Sequence, residues 1–230
     1  MKKMSIFFLG LVLITGCENH YKDELVNISE FSTYEIGRMH NELLAYYYSK
    51  DMSFITNEQV LLLFEDYLIS EKSYDRVSVQ ESMKKMVSTP EYTLMLDSKS
   101  SIDQSNISAY LNAVKKHFNP SDKLMNTFKL AFILAENSDA TYVKSFVINN
   151  IKNKPWTGID RDLAYVFTDV FMHSYDYWTE ASERKLKKAT KVILFDAGGA
   201  LHGLIFGPAG SIIEGALLSA AASESLPEDE

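Results

Sequence analysis

Cysteine is almost absent from this chain of 230 residues, which contains only Cys17. A single thiol cannot form a disulfide within the chain, and it cannot build a zinc site from several cysteines. Cys17 lies close to the first residue, so the residues that follow it contain no cysteine that could act as a nucleophile. The sequence therefore predicts a domain whose stability comes from packing.

Basic residues are fewer than acidic ones. The chain has 23 Lys and Arg against 31 Asp and Glu, which gives a formal net charge of −8. This balance disfavours nucleic acid and anionic lipid as general partners, because both carry negative charge themselves. A basic run at 184–191 departs from the trend. It is typical of a solvated helix face, with contact to lipid headgroups as the alternative.

Motifs of the common catalytic and cofactor sites are also absent. The sequence has no Gly-x-Ser-x-Gly turn, phosphate-binding loop, dinucleotide fingerprint or calcium loop. The five histidines show no metal-ligand spacing, so we predict neither a metal nor a cofactor. Two weak candidates for chemistry remain. Ser82 lies one helical turn before Lys85, and His173 lies one turn before Asp176.

The first residues have the order of a secretion signal. Two lysines precede an apolar run at 5–14, and the sequence Ile-Thr-Gly-Cys follows and ends at Cys17. This pattern resembles the lipobox of bacterial lipoprotein signals. The resemblance implies a signal peptide at 1–16, a diacylglycerol on Cys17 and a tether at 17–30.

A lipidated Cys17 makes the membrane the first expected partner, since several acyl chains on one residue give stable anchoring. The expected location is the bacterial cell envelope, as a membrane-anchored lipoprotein that is periplasmic or surface-exposed. Removing two lysines with the signal changes the formal charge from −8 to −10. The mature protein therefore has even less affinity for nucleic acid, and we predict no nucleic-acid partner.

The residues at 31–191 have the pattern of helices. Apolar residues recur with a period near 3.6, and no alternating run is long enough to predict a strand. Capping boxes predict helix starts at Thr56 with Gln59, at Ser78 with Glu81 and at Ser211 with Glu214. We predict an all-α fold, an irregular helical bundle of about seven or eight helices, with one long helix from Asp160 toward Lys191.

Small residues recur every four positions near the end of the chain, at Gly199, Gly203 and Gly207. This spacing lets two helix backbones approach closely. Pro208 removes a backbone donor and ends any continuous helix. We therefore predict a C-terminal glycine-rich helical hairpin at 192–223, followed by an acidic tail at 224–230. The alternatives are a zipper that inserts into a membrane or oligomerises, and a disordered tail.

Aromatic residues cluster at two places. Three consecutive tyrosines at 46–48 span about 200 degrees of a helix, so they cannot all be buried. A second cluster contains Tyr175 and Tyr177. We predict an interaction surface that includes Tyr46, Tyr48, Tyr175 and Tyr177, with core and rim packing as the alternative.

The element Gly37-x-x-His40-Asn41-x-x-Leu44, together with the glycine-rich tail, resembles uncharacterised small exported proteins of the Bacteroidetes. Those proteins open with a similar Gly-x-x-His-Asn element and end in a glycine-rich segment. The resemblance implies a bacterial origin and a shared architecture, and it carries no activity. His40 lies beside the apolar stripe of the first helix, which predicts a hydrogen-bonded core histidine.

Three functional hypotheses follow. The first is a lipid-anchored, non-enzymatic cell-envelope protein that presents a helical interaction domain to an envelope protein. The second is a membrane-active or bacteriocin-like protein that acts through its glycine-rich tail, which is also a candidate for self-association. The third is an envelope hydrolase that uses His173 or Ser82.

Overall fold

The computed structural model describes residues 35–50, 56–97, 104–180 and 186–224. The predicted signal peptide, the predicted lipidation at Cys17, the tether and most of the acidic tail lie outside the described residues. Within the described ranges the chain forms ten α-helices and no strand, which confirms the prediction of an all-α irregular bundle. The helices are α1 (Ile36–Ser49), α2 (Asn57–Ser70), α3 (Arg76–Val87), α4 (Pro90–Asp97), α5 (Gln104–Phe118), α6 (Asp122–Asn137), α7 (Ala140–Val147), α8 (Gly158–Glu180), α9 (Leu186–Gly203) and α10 (Pro208–Glu224). A π-helix (Ile148–Lys152) extends α7, and a 3-10 turn (Leu204–Phe206) follows α9.

The helix starts test the predicted capping boxes. At Thr56 the box is confirmed, since its hydroxyl accepts from the Gln59 amide at 3.3 Å and the Gln59 side chain accepts from the Thr56 amide at 2.8 Å. The prediction at Ser78 is wrong because α3 starts earlier. There the Asp75 carboxylate caps the helix by accepting from the Ser78 amide at 2.8 Å. A carboxylate three residues upstream can satisfy a free amide as well as a hydroxyl can.

The predicted cap at Ser211 is also wrong. Helix α10 begins three residues earlier, at Pro208, whose fixed φ and missing N–H suit the first position of a helix. Ser211 is buried inside the helix, and its hydroxyl donates to the Ala200 carbonyl on α9 at 2.7 Å. The residue therefore joins the two helices of the hairpin.

Two further expectations need correction. The bundle has more helices than the seven or eight that we predicted. The long helix predicted from Asp160 toward Lys191 is shorter, because α8 ends at Glu180 and α9 begins as a new helix at Leu186. The sequence pattern missed this division because both helices carry apolar residues along their length.

The hairpin of α9 and α10 forms the centre of the molecule. All residues from Val192 to Leu204 and from Ala209 to Ala220 are buried. Helix α10 packs against α1, α2 and α3, and α9 packs against α5, α6 and α8. An all-round apolar helix such as α10 is stable in water only when neighbours cover every side. The surrounding amphipathic helices supply that cover.

The close approach of α9 and α10 depends on glycine. A Cβ atom on Gly203 would lie 2.3 Å from the carbonyl oxygen of Gly210, inside van der Waals contact. A Cβ atom on Gly199 would lie 2.8 Å from Leu218. Gly207 has φ of +97°, a conformation that side chains disfavour, and it makes the turn between the helices. The small residues thus bring two helices of the same domain together.

In the part of the chain that the structure describes, one helix is long and apolar enough to cross a membrane by length and composition. The segment Ala189–Phe206 has a mean hydropathy of 1.3 over 18 residues, and 83% of it is buried inside the protein. Core helices of folded domains have the same properties. In this structure the segment is covered by its neighbours.

Candidate functional site

The Gly-x-x-His-Asn element joins α1 to α8. The Gly37 amide donates to the Asp169 carboxylate at 2.7 Å, and the Asn41 side chain donates to the His173 carbonyl at 2.8 Å. A Cβ atom on Gly37 would lie 2.5 Å from the Asp169 carbonyl oxygen, so only glycine permits this approach. The element therefore determines how the two helices pack.

His40 lies between these two contacts and points into the core. It is fully buried, and its Nδ1 contacts the Asn41 side-chain oxygen at 3.1 Å, which confirms the prediction of a hydrogen-bonded core histidine. Burial lowers the pKa of His40 to about 4, because the charged form loses its hydration. The imidazole is therefore neutral at neutral pH.

The partner that His40 faces is Asp196 on α9. His40 Nε2 lies 3.7 Å from Asp196 Oδ2, and both side chains are completely buried. Burial raises the pKa of Asp196 to about 7, although hydrogen bonds oppose this effect. The Ser174 hydroxyl donates to Asp196 Oδ2, and the Trp178 indole N–H donates to the same oxygen at 3.3 Å. Asp196 thus links α1, α8 and α9 at one point.

A second buried pair joins the two helices of the hairpin. His202 Nδ1 on α9 lies 2.8 Å from Glu214 Oε1 on α10, and both side chains are buried. Burial by itself lowers the pKa of His202, but the Glu214 carboxylate has the larger combined effect and the pKa is raised. The Tyr110 ring packs 4.4 Å from the imidazole, and burial raises the pKa of its hydroxyl. The two side chains thus form a buried pair in which the carboxylate favours the protonated imidazole.

The four tyrosines of the predicted interaction surface lie in three different places. Tyr46 packs on Tyr67 of α2, with ring centroids 4.6 Å apart, and the Lys50 ammonium lies 4.4 Å from the Tyr46 ring centroid. Tyr175 contacts α7 instead, where Lys144 lies 3.8 Å from its ring centroid. These two residues therefore belong to separate surfaces.

Tyr48 and Tyr177 come together through a third aromatic residue. Trp178 contacts Tyr48 edge to face at 6.2 Å and Tyr177 edge to face at 5.3 Å. Tyr48 is 43% exposed, and the other two rings are half-buried. We call Tyr48, Tyr177 and Trp178 the aromatic cluster. It lies where the C-terminal ends of α1 and α8 meet.

Trp178 is a functional candidate that the sequence analysis did not identify. Its ring is partly buried against the hydrophobic core, and its indole N–H donates to the buried Asp196 carboxylate at 3.3 Å. Asp196 appeared in the sequence as an isolated acid in an apolar run. The contact joins an exposed surface to a buried carboxylate, and only tertiary structure brings them together.

The weak candidates for hydrolysis have structural partners. The Ser82 hydroxyl donates to the Phe206 carbonyl at 2.6 Å and so holds α3 against the hairpin turn. His173 contacts Asp169, four residues before it, with Nδ1 2.9 Å from the carbonyl oxygen. Asp176, the partner that the sequence suggested for His173, pairs with Lys144 at 3.5 Å.

No group of three or more His, Cys, Asp or Glu side chains is arranged to hold a metal ion within the described ranges. The chain matches no protein-family model, no curated protein and no solved structure. Within the described residues, these contacts define an all-α domain whose apolar core contains buried polar pairs and whose surface includes an aromatic cluster with Tyr48 exposed.

Proposed function

We propose that this chain is a lipid-anchored, non-enzymatic protein of the bacterial cell envelope that presents its helical domain to a protein partner. The lipobox sequence ending at Cys17 supports the anchor. The exposed aromatic cluster supports the binding role, and it is the observation on which the proposal rests.

The aromatic cluster has the properties of a binding hot spot. Tyrosine and tryptophan are enriched at protein interfaces because they bury a large area and keep a polar group for a hydrogen bond. Trp178 is held by Asp196 and by its two tyrosine neighbours, so little side-chain entropy is lost when a partner binds. A partner that covers Tyr48 therefore meets a surface that is already ordered.

Photo-crosslinking in cells tests the binding role. A benzoylphenylalanine at position 48 should form a discrete covalent adduct with one envelope protein. The matched control is the same photo-crosslinker at Tyr142, which is 57% exposed on α7 and lies outside the cluster. Adducts of equal yield at both positions, or at neither, would contradict the proposal.

Lipidation is tested separately by replacing the only thiol. A Cys17→Ser variant should lose incorporation of labelled palmitate and should leave the membrane fraction when it is exported through an ordinary signal peptide. The lipobox hypothesis fails if the variant still incorporates the label. If the unlipidated variant stays with the membrane after a high-salt wash, another part of the chain binds lipid.

A second candidate function is membrane insertion of the hairpin. One observation favours it, namely the length and apolarity of Ala189–Phe206. Insertion would separate the hairpin from the helices that cover it and expose Asp196 to hydrocarbon, which is costly. Leakage of a dye from liposomes at neutral pH, lost in a Gly203→Leu variant that remains helical, would favour this candidate over the first.

A further inference from the structure

A cavity of about 440 Å³ opens between α8 and the π-helix that follows α7. This volume falls in the range of small-molecule pockets, which is about 300–1,000 Å³. The inner wall is apolar and includes Ile151, Ala164 and Met172. Two aromatic side chains, Trp156 and Tyr165, complete the lining on the outer side, and both are partly or largely exposed.

Cations surround this cavity in an otherwise acidic protein. Lys152, Lys154 and Arg161 line it, and among the described residues Asp169 is the only acid in the lining. The Asp169 carboxylate already accepts a hydrogen bond from the Gly37 amide at 2.7 Å. The chain as a whole has a net charge of −8, so this excess of positive charge is local. Charges of one sign around a concave surface raise the local concentration of the opposite ion.

Two of the three cations are available to a ligand. Arg161 pairs with Asp162 at 2.8 Å, outside the cavity lining. Lys152 and Lys154 form no ion pair with a carboxylate of the described residues, and both are exposed. An ammonium group at the mouth of an apolar cavity binds a ligand anion while the cavity wall covers the rest of the ligand.

The backbone near these lysines is unusual. Lys152 is the last residue of the π-helix, a form that is rare and often occurs at functional sites. The Trp156 indole N–H donates to the Ile151 carbonyl at 2.8 Å, which fixes the ring beside the cavity. Lys123 from α6 lies 5.4 Å from the centroid of the same ring. The aromatic wall is therefore held in place before any ligand arrives.

We propose that this cavity binds an anionic amphiphile, a ligand with an apolar or aromatic body and one carboxylate, phosphate or sulfonate group. The apolar body lies against Met172, Trp156 and Tyr165. The anion lies at the mouth and accepts hydrogen bonds from Lys152 and Lys154. This site is distinct from the aromatic cluster and does not depend on the proposed protein partner.

Two fluorescent probes of the same shape test the proposal on the folded protein without its signal peptide. Anilinonaphthalene sulfonate carries the anion, and N-phenyl-1-naphthylamine has the same rings without it. The sulfonate should bind with a stoichiometry of one and at least about fivefold more tightly than the neutral probe. A Lys152→Gln/Lys154→Gln variant should weaken the sulfonate at least about fivefold and leave the neutral probe within about twofold.

The matched control is Lys129→Gln, which removes an exposed lysine of α6 outside the cavity. It should leave both affinities unchanged. Circular dichroism of each variant checks that the probe reports a folded protein, because loosely packed states also bind the sulfonate. The proposal is overturned if both probes bind equally, if the control variant weakens the sulfonate as much as the double variant does, or if binding does not saturate.

The source of the amphiphile is distinguished by competition. Displacement of the probe by dodecanoate but not by phosphatidylglycerol vesicles supports a free amphiphile. Cosedimentation with those vesicles, lost in the double lysine variant and absent with phosphatidylcholine vesicles, supports a lipid of the bilayer. Failure of both competitors to displace the bound probe contradicts the proposal.

Discussion

His202 on α9 and Glu214 on α10 form an ion pair in the centre of the hairpin, with Nδ1 and Oε1 2.8 Å apart. Both positions would be apolar in a hairpin built only for packing. Because either partner alone would be a buried polar group without its hydrogen bond, each residue constrains the other. The pair fixes the position of α9 along α10, since small side chains at the contact between the two helices would also permit other alignments.

The first prediction concerns this pair. A Glu214→Leu variant leaves the buried His202 imidazole without its hydrogen-bond partner, so the imidazole loses its proton, and the protein should lose about 1–3 kcal/mol of the free energy of unfolding. The double variant with His202→Leu should recover most of that loss, since two buried leucines need no partner. Urea unfolding of the wild type, the two single variants and the double variant measures the coupling. Additive losses would show that the two residues act independently.

The ion pair also has a pH dependence. The pKa of His202 is raised in the folded protein above its ordinary value of 6.5. Its contribution to stability is therefore complete below pH 6.5 and is lost as the pH rises through the folded pKa. In the double leucine variant this decline should disappear. If the double variant still loses stability over the same pH range, another titratable group causes the loss.

A second prediction concerns Asp196 and His40, because folding raises the pKa of Asp196 and lowers the pKa of His40. Asp196 has a folded pKa of about 7 against an ordinary 3.8, so folding takes up a proton between these values. Its contribution falls by up to about 1.4 kcal/mol per pH unit as the pH rises from 4 to 7. An Asp196→Asn variant should therefore gain stability relative to the wild type over that range.

His40 provides the matched comparison. Its folded pKa of about 4 lies below the ordinary 6.5, so its contribution rises as the pH rises from 4 to 6.5. A His40→Asn variant should lose stability relative to the wild type over that range. Thermal unfolding at several pH values measures both differences. Parallel profiles for the two variants would exclude a neutral histidine beside a protonated acid.

A third prediction separates two glycines of α9 by what surrounds them. The Gly203→Ala methyl group meets the Gly210 carbonyl oxygen at 2.3 Å, and a backbone atom cannot move away cheaply. We expect a loss of about 3 kcal/mol or more. The Gly198→Ala methyl group meets only the end of the Phe132 ring at 2.8 Å, and alanine favours the helix by about 1 kcal/mol. Its loss should be much smaller, as measured by urea unfolding, and equal losses would contradict the close approach at Gly203.

A fourth prediction tests whether Ser82 is structural. Its hydroxyl donates to the Phe206 carbonyl at 2.6 Å, so Ser82→Ala should lose about 1 kcal/mol of stability. A panel of chromogenic esters should show no difference between the variant and the wild type. If hydrolysis of an ester disappears while stability stays the same, Ser82 is a nucleophile, and the hydrolase hypothesis replaces the binding role.

The helical class, most apolar stripes and the break at Pro208 were predictable from the sequence, because they depend on local period and backbone chemistry. Thr56 with Gln59 is a local motif, and it forms as predicted. Ser78 and Ser211 fit the same motif and fail. In both cases an alternative start was available upstream, and packing or a stronger acceptor selected it.

The site depends on contacts between residues that are distant in sequence. The amide of Gly37 meets the carboxylate of Asp169 across 132 positions, and no period or motif connects them. The four tyrosines had a common sequence signal, exposure on a helix, but neighbouring helices place them on three surfaces. The cavity beside Trp156 exists only because the π-helix packs against α8.

The sequence by itself determined that this chain forms helices, that a glycine-rich hairpin bends at Pro208, and that its stability comes without disulfides in the domain. Tertiary structure alone decided that the hairpin is the core, that its buried acids and histidines form pairs, and that Trp178 joins the surface to Asp196. The physical reason is range. Backbone preferences act over a few residues, whereas burial and charge pairing depend on every helix that surrounds a group.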